Sequence, residues 1–310
     1  MRTAYITHAD LIKHDMGDGH PERSSRLYAI QDQLKHQQLW DLLEHIEAPN
    51  VEQAALLRVH SQQHLEYIVD NAPGSGQALF QITPDTLMNE HSLDAALKAA
   101  GAGTTAVDLI MDKQIENAFC AVRPPGHHAE RSKSMGFCFF NNIAVAAAHA
   151  LEKHTLDRIA IVDFDVHQGN GTQEIFEADD RVLFCSSYEH PLFPFSNRPS
   201  IPNKLINTPL KSGSTGAEFR AQVQQHWLPA LHAFKPQFIF ISAGFDAHWE
   251  DDIATLCFQD QDFAWVTQEI IAIARRYSHN RIVSVLEGGY ALKALGRSAE
   301  QHIRALMQLS

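Results

Sequence analysis

Short apolar runs rich in β-branched residues recur along the chain, separated by segments with helical spacing of apolar positions. The runs are Thr3 to Thr7, Asn117 to Val122, Arg158 to Val166, Val182 to Ser186, Phe238 to Ser242 and Ile282 to Leu286. Their near-continuous hydrophobicity predicts strands buried on both faces, as in a parallel sheet. Between them the pattern predicts a helix N-capped by Ser92 and an Ala-rich helix over Asn141 to His154. Two more are predicted over Phe219 to Phe234 and Asp262 to Tyr277. Strand and helix in alternation predict an α/β fold, a mainly parallel central sheet flanked by helices on both faces.

The polar residues that break these runs gather at the strand ends. Asp165 and His167 close the run that begins at Arg158, and Asp246 follows Phe238 to Gly244. Tyr290 follows Ile282 to Glu287, and His127 and His128 follow Phe119 to Val122. Ligands of open parallel sheets bind beyond the carboxyl ends of the strands, so these residues are expected to share one site. In Asp163-Phe164-Asp165-Val166-His167 the polar side chains alternate with apolar ones, and an extended strand would turn all three to one face. Burying two carboxylates and an imidazole together needs a metal or hydrogen-bonded partners. Asp with His suits zinc, and Asp165, His167 and Asp246 supply three ligands with a position left open. Oxygen-rich ligation would also accept Fe(II), Co(II) or Mn(II). Taken singly, each of these residues reads better as a helix cap or a satisfied core histidine than as a ligand; the alternation and the shared placement select the metal.

His127 and His128 follow Pro124-Pro125-Gly126. Adjacent imidazoles can be held in different protonation states by different partners, and Asp163 and Asn170 are the candidates. Tyr290 follows Gly288-Gly289, which would let a phenol reach into a pocket and donate to a developing oxyanion. Phe137 and Phe193 read, from composition alone, as core residues.

Composition narrows the picture. The chain has 310 residues, 45% of them hydrophobic, with no repeat or low-complexity linker, which predicts a single domain over residues 1–310. A formal net charge of −12 argues against a nucleic-acid partner. The four cysteines form no C-x-x-C pair and read as reduced, buried thiols, which suits the cytoplasm. No secretory h-region is visible at the N-terminus, and no run nears the roughly 20 apolar residues that span a bilayer. A homo-oligomer is left open.

Four segments, in this order, resemble the zinc-dependent histone deacetylase family, with its bacterial histone deacetylase-like amidohydrolases and acetylpolyamine amidohydrolases. They are Arg123-Pro-Pro-Gly-His-His128, Asp163-Phe-Asp-Val-His-Gln-Gly-Asn-Gly171, Ser242-Ala-Gly-Phe-Asp246 and Glu287-Gly-Gly-Tyr290. The resemblance runs from about His20 to Arg297, and Asn170 and Glu287 look more like its class II branch. It implies the arginase/deacetylase fold and hydrolysis of an acylated amine, with zinc on Asp165, His167 and Asp246. It implies His128 as general base and then acid, His127 paired with Asp163 as an electrostatic tuner, and Tyr290 as the oxyanion donor. Gly136, Phe137 and Phe193 match the acyl-lysine tunnel, Asp85 an acidic rim residue, and Arg26 an internal product channel. Asp163 and Ser186, with main-chain carbonyls of Asp165 and His167, match a structural potassium site.

Two positions depart from the family pattern. Phe195-Ser196-Asn197 stands where relatives often carry a Gly-rich turn. Ile253 stands where polyamine-specific relatives place an acidic gatekeeper, which predicts acyl-lysine or other neutral-stem substrates. The alternative is an acetylpolyamine amidohydrolase, with Glu250, Asp251 and Asp252 supplying negative charge. A binuclear manganese ureohydrolase would need further bridging carboxylates. A non-catalytic reader is expected to have lost Tyr290, a ligand or the histidine pair, and none is lost.

Overall fold

Eight strands form one parallel sheet: β1 (Thr3–Thr7), β2 (Glu44–Glu47), β5 (Asn117–Cys120), β6 (Ile159–Asp163), β7 (Val182–Glu189), β8 (Leu205–Leu210), β9 (Phe238–Ala243) and β10 (Ile282–Leu286), in spatial order β2-β1-β5-β10-β9-β6-β7-β8. A separate hairpin pairs β3 (Phe80–Thr83) with β4 (Thr86–Met88). The computed structural model describes residues 2–196 and 198–309, so Asn197, in the rim turn that departs from the family pattern, lies outside the described residues.

All six predicted strands are present. Every residue of β5, β6, β9 and β10 is buried, as continuous apolar runs require when helices cover both faces of a parallel sheet. Helices 92–111 and 142–153 pack on each other, and helices 25–36 and 260–277 pack against helix 292–306. The exposed β2 and the mixed-polarity β8 escape the sequence reading because edge strands lack a continuous apolar run.

Four expectations are corrected. The strand read as Arg158 to Val166 stops at Asp163, so Asp165 and His167 lie in the loop beyond it. Ser92 is not an N-cap: it is the first residue of helix Ser92–Met111, and its hydroxyl instead receives the Asn89 N–H and contacts His14 Nδ1. The stretch Phe219 to Phe234 holds two α-helical pieces, Gly216–Gln222 and Leu228–Phe234, joined by a π-helical turn over Val223–Trp227. Pro229, at the start of the second piece, has no N–H to continue an unbroken α ladder. Cys257 is exposed while Cys120, Cys138 and Cys185 are buried. In that segment the inward positions fall to Leu256 and Phe258, and Cys257 between them points out.

The topology positions the site. The chain builds β5, then β6, β7 and β8 outward, and returns to insert β9 and β10 between β6 and β5. The four strands whose ends carry the reactive residues are therefore consecutive neighbours, β5-β10-β9-β6.

Candidate active site

Hydrogen bonds, rather than strand pleat, make the loop after β6 converge. Asp165 N–H donates to Asp163 Oδ1 at 3.1 Å, and His167 N–H donates to Asp165 Oδ1 at 2.9 Å. Val166 N–H donates to Asp246 Oδ1 at 3.0 Å, tying this loop to the end of β9. Gly288 N–H, at the end of β10, donates to Asp165 Oδ2 at 2.8 Å. His167 Nδ1 thereby comes within 3.0 Å of Asp165 Oδ1 and 3.3 Å of Asp246 Oδ2. One ligand atom from each of Asp165, His167 and Asp246 lies within 4.8 Å of the others, all three residues being buried. Asp246 Oδ2 has no hydrogen-bond partner among the described residues. A Cβ at Gly288 would stand 2.0 Å from that same oxygen, so this approach is open to glycine alone.

The electrostatics follow from burial and crowding. Burial, then the neighbouring Asp165, push the Asp246 carboxyl up to about 6. For His167, burial disfavours charge, but contact with Asp165 and Asp246 prevails and raises it to about 10. Such a cluster gains most from a cation.

The two histidines have unlike partners. His127 Nδ1 is 3.0 Å from Asp163 Oδ2, so the ring donates to a carboxylate. Burial opposes its charge, but Asp165 and Asp163 outweigh burial and raise it to about 10. His128 Nδ1 is 2.7 Å from Asn170 Oδ1. The Asn170 amide is oriented by its own NH₂, which donates to Glu130 Oε1 at 2.9 Å. Its oxygen must therefore accept from His128, which puts the proton on Nδ1 and leaves Nε2 a free base. Burial, His127 and His167 hold His128 well below the usual histidine range.

A cavity of about 220 Å³ leads to these groups. It is lined by Phe137, Phe193, Leu192 and Gly136 together with His128 and Tyr290. Phe193 stands edge-on to His128 at 5.1 Å and Phe137 edge-on to Tyr290 at 6.0 Å. Gly136 has φ +57°, and a Cβ there would sit 2.4 Å from the His128 ring. A larger depression, of about 590 Å³, lies around Arg220, Trp249 and Cys257, away from the convergent groups.

Residues 20–306 match the histone deacetylase domain family. The chain belongs to that family. It is 36% identical over 304 residues to a probable deacetylase of Archaeoglobus fulgidus, covering 94% of this chain and 82% of that one. It is 36% identical over 268 residues to the polyamine deacetylase HDAC10 of Danio rerio, covering 81% of this chain and 39% of that protein. The crystal structure of the HDA15 HD domain superposes with a TM-score of 0.90 at 31% identity, covering 99% of this chain and 90% of that one. The parallel sheet with its helical layers is thus the arginase/deacetylase fold.

The deacetylase site gathers the other residues named from sequence. Asp85 and Ile253 both line the cavity. Asp85 Oδ1 accepts from the Thr83 and Thr86 hydroxyls at 2.6 and 3.0 Å, and Thr86 Oγ1 in turn accepts the Phe137 N–H at 3.0 Å. Arg26 is wholly buried; it donates to the carbonyls of Glu287 and Gly289 and lies 4.9 Å from the Tyr290 ring centre. Ser186 is buried beside Asp163 in the β6–β7 register, and its hydroxyl has no hydrogen-bond partner among the described residues. Glu287 was given no role from sequence, and Asp251 was read only as a source of negative charge at the rim. Glu287 Oε2 accepts the N–H groups of Gly126 and His127 at 2.7 and 3.1 Å, clamping the turn that presents both histidines. Asp251 accepts the Tyr290 N–H at 2.6 Å. Their motif and position are visible in the sequence, but a carboxylate that serves main-chain N–H groups has no signature of its own.

Proposed function

We propose that this deacetylase is a zinc-dependent amidohydrolase that removes acetyl or related acyl groups from lysine side chains or similar amines. The observation that carries the reading is the buried Asp165–His167–Asp246 triad beside two adjacent histidines, one against the Asp163 carboxylate and one against the Asn170 amide, on an aromatic-walled cavity. The donor set fits the ion: two carboxylates and one imidazole, with Asp246 Oδ2 accepting no hydrogen bond among the described residues and facing only the His167 ring. Bound there, zinc would polarise the acyl carbonyl and make water a nucleophile near neutral pH.

The remaining roles belong to the chain. His128 Nε2 takes the proton of the attacking water and returns it to the leaving amine. His127, kept protonated by Asp165 and Asp163, makes the potential at the reacting centre more positive and so favours the developing negative charge without losing its proton. The Tyr290 hydroxyl is pushed well above the usual tyrosine range, mainly by burial. It stays protonated at neutral pH and donates to the developing oxyanion. Phe137 and Phe193 exclude water around an aliphatic stem. Potassium at Asp163 and Ser186, with carbonyls of Asp165 and His167, would give the orphan Ser186 hydroxyl a partner. The free thiols of Cys120, Cys138 and Cys185 suit a cytoplasmic setting.

The rim favours a neutral stem. Of the three acids beside Ile253, Glu250 is paired with Arg297 at 2.6 Å, and Asp251 is occupied by main-chain N–H groups. Asp252 is exposed and borders an adjoining depression instead of the cavity. The test is kcat/KM of the zinc-loaded protein on an acetyl-lysine peptide and on N-acetylputrescine, with a trifluoroacetyl-lysine peptide as activated control. Preference for the peptide is expected. Preference for acetylputrescine would replace the lysine reading with the polyamine one, and no turnover of any of the three would remove the hydrolase reading.

A further inference from the structure

We propose that Asp251 is the positioning residue that sets the reach of the Tyr290 hydroxyl; the inference rests on the role given to Tyr290 above. Tyr290 leaves β10 through Gly288 and Gly289, and Gly289 has φ +117°, a region that other residues rarely adopt. Such a backbone does not hold its own direction. Arg26 holds the Gly289 carbonyl, and the restraint on the Tyr290 N–H comes from another loop. Asp251 Oδ2 accepts the N–H of Tyr290 at 2.6 Å and that of Ala291 at 3.0 Å. Its other oxygen receives the Ile253 N–H at 3.3 Å, and its own N–H donates to the His248 carbonyl at 2.9 Å.

The same carboxylate also completes a helix. Helix Leu292–Leu306 begins after Ala291, whose methyl group cannot cap, and its N-cap makes no side-chain hydrogen bond. A negative group that accepts N–H bonds beside a helix start is stabilising there. Asp251, about forty positions away in sequence, is that group for the N-cap N–H. Helix 292–306 is in turn packed on helices 25–36 and 260–277. Tyr290 is thus held between a flexible glycine pair and a fixed helix end, with one buried carboxylate fixing its main chain. The loop that carries Asp251 also carries Asp246, so a single segment orders a metal-facing carboxylate and the phenol opposite it.

A cap alone would affect stability, whereas a positioning residue acts through Tyr290. The experiment compares Asp251→Asn, which keeps the shape and loses the charge, with wild type in both the native and the Tyr290→Phe backgrounds. It is accompanied by 19F NMR of protein labelled with 3-fluorotyrosine, the Tyr290 line being assigned by its loss in Tyr290→Phe. Expected is a fall of about tenfold or more in kcat at nearly unchanged KM and zinc content, with less than a twofold effect in the Tyr290→Phe background. The Tyr290 line should shift or broaden. An unchanged line, or an equal loss of kcat in both backgrounds, overturns the inference. A changed line with unchanged kcat leaves the positioning intact and sinks the oxyanion role of Tyr290 instead. Asp251→Ala, which removes both acceptors, should show the larger line change if it folds; Asp251→Asn decides the matter if it does not.

Discussion

At the scale of single residues, the site depends on groups whose proton positions are fixed by unlike partners. Tyr290 stays protonated because burial keeps its phenol from ionising. Tyr290→Phe should keep zinc and fold but lose roughly 10²-fold or more in kcat, as removal of an oxyanion donor does. Metal analysis alongside steady-state rates checks this, and near-normal turnover would take the phenol out of the mechanism. Gly136 tests spacing. A Cβ there meets the His128 ring at 2.4 Å in a backbone conformation already unfavourable for alanine. Gly136→Ala should displace the base and cost on the order of 10²-fold in kcat/KM, the scale of a misplacement of about 1 Å. A smaller loss, with His128 unmoved in a crystal structure of the variant, would show that the loop yields instead.

At the scale of elements, the sequence reading succeeded where an apolar run reached its natural length. β1 and β10 carry the expected boundaries, and helix Asn142–Lys153 is capped by Asn141 through the Ala144 N–H. It failed where a local pattern served another purpose. The alternation through Asp163, Asp165 and His167 looks like pleat, yet the ladder ends at Asp163 and side-chain-to-backbone bonds turn the following residues inward. The residues that meet at the site were legible because each follows a strand; the roles of Asp251 and Glu287 were not, because each serves main-chain N–H groups of a distant segment, Tyr290 and Ala291 for the one and Gly126 and His127 for the other. The rim loop 246–253 invites a prediction of its own. With Glu250 and Asp251 already engaged, Ile253→Glu would add a second carboxylate to the cavity lining, beside Asp85. It should move the ratio of kcat/KM for N-acetylputrescine over acetyl-lysine peptide up by about tenfold, ~1.4 kcal/mol. An unchanged ratio would mean that this position does not read the stem.

At the scale of the molecule, buried histidines outside the site make stability depend on pH. Burial holds both His60 and His302 down at about 3. His302 is enclosed between Phe119, Phe164 and Phe245, contacting the Thr267 and Ser284 hydroxyls. The folded protein refuses a proton that the unfolded chain accepts near 6.5. Their contribution is therefore complete above that value and is lost as the pH falls from about 6.5 toward 3. Each group removes up to about 1.4 kcal/mol per pH unit in that window. Asp246 at about 6 and Glu287 at about 7 act in the opposite direction, so the test is a difference: in urea unfolding between pH 7.5 and 5, His302→Gln should lose up to about one proton's worth of the acid-side destabilisation seen in wild type. A slope unchanged by that substitution would mean that His302 is not the group titrating. The sheet order has a consequence in time as well. β5 and β6 are synthesised early but lie two strand widths apart, and β9 and β10, which fill the interval, come from the last quarter of the sequence. At about 5–20 residues per second, a nascent chain holds an open cleft in its apolar centre for several seconds. During that time it has its histidine pair but neither Asp246 nor Tyr290. The catalyst is completed last, when β9 and β10 fill the middle of the sheet.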